Sequence, residues 1–280
     1  MPDTSHADSC FFIGRTHKVC QDYARAGKTP SGLSYAIIAD GCSSSPDTDF
    51  GARFLTMAAM DGICTQDSHT RLDLNRIVQL ARSQVLPPLP LECLDATLLT
   101  LTETPEGVRA EIAGDGCVVG LKRDGTVQIW DIDFKGAPGY LSYLLSMARW
   151  ANYTKQGFGV RTVSLYENGT ATTTFQTITL DDFAMTLEFP REEYATVFVI
   201  TDGAKSFERD TGLGMDPVPF QAVIEQLTAI KGYTGEFLAR RGWAFETRFC
   251  RDQKWHHNDD LGMAAVHLLE TKPEPTEVQP

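Results

Sequence analysis

Two stretches of the chain share one grammar. An unbroken apolar run rich in β-branched residues ends abruptly in aspartate and glycine. The first runs from Tyr35 to Ala39 before Asp40-Gly41, and the second from Thr196 to Thr201 before Asp202-Gly203. Runs this short read as buried strands, and the glycine lets the backbone turn at the strand end. The wider pattern predicts strands at 10–15 and 33–39 and helices over 49–64 and 73–86. Phe50, Phe54, Met57 and Ala58 share one face of the first helix, with Asp47, Thr48 or Asp49 as its cap. Pro87-Pro88 stops the second. Four short strands follow at 96–102, 108–113, 117–122 and 126–132, the last two joined at Asp124-Gly125. Connections this short force antiparallel pairing. Segment 138–150 reads as helical. A hairpin spans 160–167 and 170–179 around Asn168-Gly169. Strands at 181–189 and 194–201, helices at 217–230 and 234–249, and a strand at 261–269 complete the chain.

This order excludes a regular βαβ sheet. It fits an α+β fold, a four-layer α-β-β-α sandwich of two antiparallel sheets flanked by helix pairs. No repeat or linker divides the chain, so residues 1–270 are expected to form one domain. Residues 271–280, rich in Pro and Glu, are expected to be a disordered tail.

The 280 residues are 42% hydrophobic, enough for a sizeable core, and carry a net charge of −12. That charge argues against a nucleic-acid partner, which needs basic patches. Seven scattered cysteines without a C-x-x-C pair argue against a disulfide framework or structural zinc and favour a reducing compartment. With no secretory signal and no apolar run approaching a membrane span, a cytoplasmic location is expected and no membrane partner.

The acidic features then fall into an order. Gln21-Asp22 follows His17; Asp40-Gly41 ends a strand; Asp95 opens one; Gly114-Asp115-Gly116-Cys117 joins two; Thr201-Asp202-Gly203 ends another; Asp259-Asp260 opens the last. Carboxylates at strand ends are what hard divalent cations require. Each element also has a plainer reading, because Asp-Gly and Gly-Asp-Gly are common turns.

The ordered set resembles the metal-dependent phosphatases of the PPM type, the protein phosphatase 2C family, from about Gly14 to Leu268. The family's D-G-H-G-G motif is matched in Asp40-Gly41, its G-D-S-R in Gly114-Asp115, its S-D-G in Thr201-Asp202-Gly203 and its D-N in Asp259-Asp260. The resemblance implies hydrolysis of phosphoserine and phosphothreonine in proteins by a metal-bridging hydroxide, in a bacterial, cytosolic enzyme. It implies two tightly bound Mn²⁺ or Mg²⁺ ions and a third, weaker one. Asp40, Asp202 and Asp259 would be the catalytic, metal-holding acids. The Gly41 carbonyl would touch one ion, Asp115 would share the third with Asp202, and Asp22 belongs to the family's first acidic pair. The phosphate-binding arginine of the family aligns with His17, and Arg15 lies on the same face of a strand drawn through 13–18. Residues 138–180 stand where the family carries a flap, and their aromatics read first as core.

The departures are specific. Gln21 replaces a carboxylate, and Cys42 stands where the family has a histidine able to act as general acid. Ser43, Ser44 and Ser45 replace the rest of that motif. Asp260 reads as a residue that caps or orients its neighbour. His256-His257 reads as exposed loop or as donors to the residues that would hold the ions, and Trp255 as packing. The departures keep two alternatives in play: a weakly active or non-catalytic module that binds a phosphoprotein or regulatory partner, and a small-molecule phosphatase. The substrate, the preferred metal and the oligomeric state are not encoded in any motif.

Overall fold

Two strands show how the sandwich is organised. In the strand Tyr194–Ile200, Val197 and Val199 pack into the core between the sheets, while Phe198 and Ile200 pack under the outer helices. Leu261–Leu268 does the same, with Ala264 and Val266 inward and Met263 and Ala265 outward. A strand covered on both sides has no polar face, so its sequence is an apolar run rather than an alternation.

The computed structural model describes residues 5–66 and 69–270. In chain order the strands are β1 Ser5–Phe12, β2 Tyr23–Lys28, β3 Ser34–Ala39, β4 Leu98–Thr104, β5 Gly107–Ala113, β6 Gly116–Lys122, β7 Val127–Phe134, β8 Val160–Glu167, β9 Thr170–Thr177, β10 Met185–Pro190, β11 Tyr194–Ile200, β12 Phe207–Asp210, β13 Met215–Pro217, β14 Trp255–His257 and β15 Leu261–Leu268. The helices are α1 Thr48–Thr65, α2 Leu74–Gln84, α3 Met147–Lys155, α4 Phe220–Thr228 and α5 Phe237–Ala244. One sheet runs β1-β15-β11-β6-β7-β8-β9, and the other β10-β5-β4-β3-β2. Pairing is antiparallel throughout. α1 and α2 cover the outer face of the five-stranded sheet, and α4 and α5 that of the seven-stranded one. The expected α+β sandwich of two antiparallel sheets is therefore present.

Several local expectations need correction. The first strand is Ser5–Phe12, and residues 13–22 form an irregular loop, so no strand runs through 13–18. β2 and the small sheet β13-β12-β14 had no periodic signal. Segment 138–150 becomes a 3-10 turn at Leu141–Leu145 followed by α3. Phe50 and Met57 of α1 are exposed, at 44% and 46%. The buried face instead carries Gly51, Ala52, Leu55, Ala58, Ala59 and Gly62, with Gly51 pressed against the Cys93 carbonyl and Gly62 against Ile77 of α2. Asp47 stands at the N-cap of α1 in a left-handed conformation and makes no side-chain cap bond, whereas Asp73 caps α2 through Arg76 N at 3.0 Å. The expected tail, 271–280, lies outside the described residues. All seven cysteines are free thiols. No helix among the described residues is long and apolar enough to cross a membrane.

Candidate metal-binding cleft

Four carboxylates reach one cleft from four separate places in the chain. Asp40 ends β3, Asp115 sits in the β5–β6 connection, Asp202 follows β11, and Asp259 precedes β15. Together with Gly41, Cys42, Ser43, Ser44, Thr97, Gly136, Pro138 and Tyr140 they line a cleft of about 320 Å³. Main-chain bonds fix each position. Thr97 N donates to Asp40 O at 2.8 Å, and Asp40 N donates to Thr97 Oγ1 at 3.1 Å. Thr201 N donates to Gly262 O at 2.9 Å, which locks the end of β11 to the start of β15.

The glycines beside these acids are imposed by close approach. A Cβ on Gly203 would lie 1.7 Å from Asp260 O, and one on Gly41 would lie 2.8 Å from Thr48 Cβ. Both strand ends are thus wedged against a neighbouring backbone or helix, which holds the adjacent carboxylate in place.

The electrostatics are those of crowded acids. Asp40 has Asp22, Asp202 and Asp115 as charged neighbours. Burial pushes Asp40 well above the ordinary carboxylate range, and Asp22, Asp202 and Asp115 push it further. Burial, then Asp202, pushes Asp115 up to about 7, with Lys205 opposing. Burial and Asp202 also raise Asp259. Lys205 is the nearby cation, but Asp131 and Asp133 hold it at 2.6 and 3.3 Å. The donors are all hard oxygens, and one buried oxygen, Oδ1 of Asp22, has no hydrogen-bond partner. Such a set fits Mg²⁺ or Mn²⁺ in chemistry. Among the described residues, no three acidic, histidine or cysteine side chains already converge on a single point where an ion would sit.

The remaining expected residues are placed differently. Asp22 does not line the cleft. It lies buried behind Asp40, raised chiefly by burial, with Oδ2 accepting from Thr201 Oγ1 at 2.7 Å. Gln21 points away, its amide donating to Thr48 Oγ1 at 2.8 Å. His17 stands at the back of Asp259, with Nε2 3.5 Å from Asp259 Oδ1 and Nδ1 2.9 Å from Asp260 Oδ2. Arg15 is half in solvent, with Nη2 3.1 Å from Asn258 Oδ1 and 3.9 Å from Glu208. Neither cation lines the cleft, because the loop 13–22 carries both to the side of the 257–260 segment. Asp260 is the anchor of that loop and accepts from Gly14 N at 2.7 Å and Gln21 N at 2.6 Å. His257 is a buried strand residue paired with Glu246 at 3.2 Å, and Trp255 packs on Phe245 and Phe249.

No motif pointed to Thr97, Gly136 or Pro138 as residues of the cleft. Tyr140 stood out only as a flap aromatic, yet it forms a wall beside Cys42. Asp95 is buried and bridges that wall to the Cys42 loop. It takes a bidentate bond from Arg149, at 2.8 Å to each oxygen, and bonds from Ser142 Oγ at 2.5 Å and Ser45 Oγ at 2.9 Å.

The sequence model of the family described as protein phosphatase 2C matches residues 14–137. Over that part the chain is similar to protein phosphatase 2C. The matched part contains Asp22, Asp40-Gly41 and Asp115. Solved structures extend the likeness of fold over the rest. A bacterial serine phosphatase superimposes with a TM-score of 0.58 at 11% identity, covering 96% of this chain and 100% of its own. Stp1, a serine/threonine phosphatase from Staphylococcus aureus, gives 0.51 at 9% identity over 94% and 95%. The catalytic domain of the serine/threonine protein phosphatase PstP, described in complex with two manganese ions, gives 0.50 at 13% identity over 95% and 99%. No curated protein matches this chain in sequence.

Proposed function

We propose that the chain is a Mg²⁺- or Mn²⁺-dependent phosphatase that hydrolyses phosphoserine and phosphothreonine in proteins. The observation that carries this reading is that Asp40, Asp115, Asp202 and Asp259 line one cleft, the first two within the part of the chain that matches the protein phosphatase 2C family. The two manganese ions of PstP support it. Asp40, the Gly41 carbonyl, Asp202 and Asp259 would hold two cations tightly, and Asp115 with Asp202 a third more weakly. Bound there, divalent cations would neutralise the phosphate ester and acidify a water at neutral pH.

The chain's own groups do the rest. Asp22 lies buried behind Asp40 as a charged neighbour. Ser206 Oγ and His257 Nδ1 hold the main chain of Asp259, and His17 stands against its side chain. The Asp95–Arg149 pair holds Tyr140 and Cys42 as a fixed wall over the cleft. No imidazole stands at Cys42, so protonation of the leaving alkoxide falls to solvent.

One observation favours a weaker or non-catalytic module: Gln21, where the family has a carboxylate, commits its amide to Thr48. Turnover separates the readings. Phosphopeptides and p-nitrophenyl phosphate are assayed with EDTA and then with Mn²⁺ or Mg²⁺. Cation-dependent release of phosphate from phosphopeptides is the expected result. Hydrolysis that is indifferent to EDTA, or cation binding without hydrolysis, refutes it.

A further inference from the structure

The two large sheets have four edges, and three are guarded. β1 is covered by α5, whose first turn donates to Asp8 Oδ2 from Leu238 N at 2.6 Å and Ala239 N at 3.0 Å. β2 carries Arg25 and Lys28. β10 carries Glu188, held by Arg109 at 2.7 Å, and ends in Pro190. Covers, charges and prolines keep an open edge from pairing with another chain. β9 has none of these. Its sequence, TATTTFQT, has no charge and no proline, its register with β8 is unbroken, and all eight residues are exposed. Among the described residues no strand pairs with its outer side.

The geometry of the hairpin says which groups are on offer. Asn168 and Gly169 have φ of 51° and 74°, and Glu167 faces Thr170. In a two-residue hairpin of this kind the pair flanking the turn is hydrogen-bonded. Thr170, Thr172, Thr174 and Gln176 therefore bond β8, while Ala171, Thr173 and Phe175 turn their main-chain groups outward. The pleat puts those three side chains on one face. Thr173 Oγ1 meets Ser164 Oγ at 3.0 Å there, and Ala171 lies opposite Tyr166. The same face holds a hollow of about 850 Å³, lined by Leu121, Ile129, Tyr166, Ala171, Ile230 and Tyr233 among others. Phe175, 73% exposed, projects from this face four residues beyond Ala171.

We propose that β9 is a self-association surface, through which two copies of the chain pair antiparallel about a two-fold axis at Thr173 and join their seven-stranded sheets. In that register Thr173 meets Thr173, Thr172 meets Thr174, and Ala171 meets Phe175. Each copy's Phe175 then lies beside the other's Ala171, at the mouth of the hollow. Knob and hollow are met twice by one operation, which is the self-complementarity an isologous contact demands. An uncharged strand is also what the axis demands, because a charge placed there would face its own image. The outward residues supply about six interchain main-chain bonds. The net charge of −12 on each copy opposes the contact at long range, so salt strengthens it by screening. A strand from a different protein would need its own counterpart to both knob and hollow, which is why the second copy is favoured as the occupant.

Sedimentation equilibrium of the full chain tests this across the micromolar range at low and high salt. The wild type is expected to shift from monomer to dimer with concentration, and further at high salt. Thr173→Lys and Phe175→Lys should each weaken association at least about tenfold, with an unchanged far-ultraviolet dichroism spectrum. Thr173→Val should dimerise like the wild type, which shows that the site tolerates substitution. A wild type that stays monomeric throughout overturns the proposal, even if β9 captures an extended peptide from another protein. So does a dimer that survives both lysine variants, or one that dissociates as salt rises.

Discussion

Asp40-Gly41 and Asp124-Gly125 are the same dipeptide in one chain, and they do different things. Gly125 sits at a hairpin tip with φ of +90°, and a Cβ there would meet nothing within 4 Å. Asp124 faces solvent and bonds Thr126 N at 2.8 Å, which holds its carboxyl below the usual range. At Asp40 the neighbouring glycine is pressed against Thr48, and the carboxyl is buried among other acids and driven upward. Gly203 is wedged as Gly41 is, with a Cβ there only 1.7 Å from Asp260 O. A turn satisfies its own aspartate, whereas a site gathers aspartates that only something external can satisfy.

The largest effect should come from Asp40→Asn. The substitution keeps the shape and removes the charge shared with Asp22, Asp115 and Asp202. Cation-dependent phosphopeptide turnover is expected to fall at least about 100-fold, with the thermal transition retained. Asp124→Asn should leave turnover unchanged. Equal activity in the two variants would erase the distinction between site and turn.

Next in size is the glycine contrast. Gly203→Ala places a methyl against Asp260 O and should cost about 3 kcal/mol or more of stability. Gly125→Ala strains only its positive φ and should cost about 1 kcal/mol. Urea denaturation with a constant slope measures both. Equal losses would show that the strand end is not wedged.

These contrasts also mark what could be read from sequence. The Asp-Gly strand ends were legible because burial on both faces leaves an apolar run with an abrupt polar stop. Their company was legible through the order of the motifs. The positions of His17 and Arg15 were not. They lie in an irregular loop held by Asp260 from the far end of the chain, at Gly14 and Gln21. No periodicity encodes such a contact, so drawing a strand through 13–18 gave both residues the wrong direction. The outer face of α1 misled for another reason: Phe50 and Met57 are apolar yet exposed, while the buried face is made largely of alanine and glycine. Tyr140 reaches the cleft through an Asp95–Arg149 pair 54 positions apart in sequence, again without a local signal.

A third contrast separates the two kinds of aspartate by pH in metal-free protein. Burial holds Asp115 up to about 7, against 3.8 for an ordinary aspartate. Between those values the folded chain keeps a proton that the unfolded chain releases, so stability falls as pH rises through the window. For Asp115 alone the fall is on the order of 4 kcal/mol, and Asp115→Asn should flatten it. Mn²⁺ should restore the loss at pH 8 by binding the ionised acids, raising the melting temperature with concentration. The Asp202→Ala variant should not show that rise. If metal-free protein instead grew more stable from pH 4 to pH 7, the crowding of these acids would be refuted.

The smallest effect is expected at Arg15, and it sharpens the comparison from the other side. Arg15 is exposed and reaches Asn258 and Glu208, a surface pairing of little energetic weight. Arg15→Ala should change stability by no more than about 0.5 kcal/mol and leave KM for phosphopeptides unaltered. His17 stands closer to the chemistry, touching Asp259 from behind. His17→Ala frees that carboxylate, so it should weaken the response to Mn²⁺ and lower kcat more than it raises KM. A bound phosphate contact would give the reverse, a rise in KM with kcat preserved. Steady-state kinetics on one phosphopeptide at several Mn²⁺ concentrations distinguishes the two. A KM effect at Arg15 would mean that the loop 13–22 swings over the cleft when substrate binds, and that the pairing with Glu208 is only its resting place.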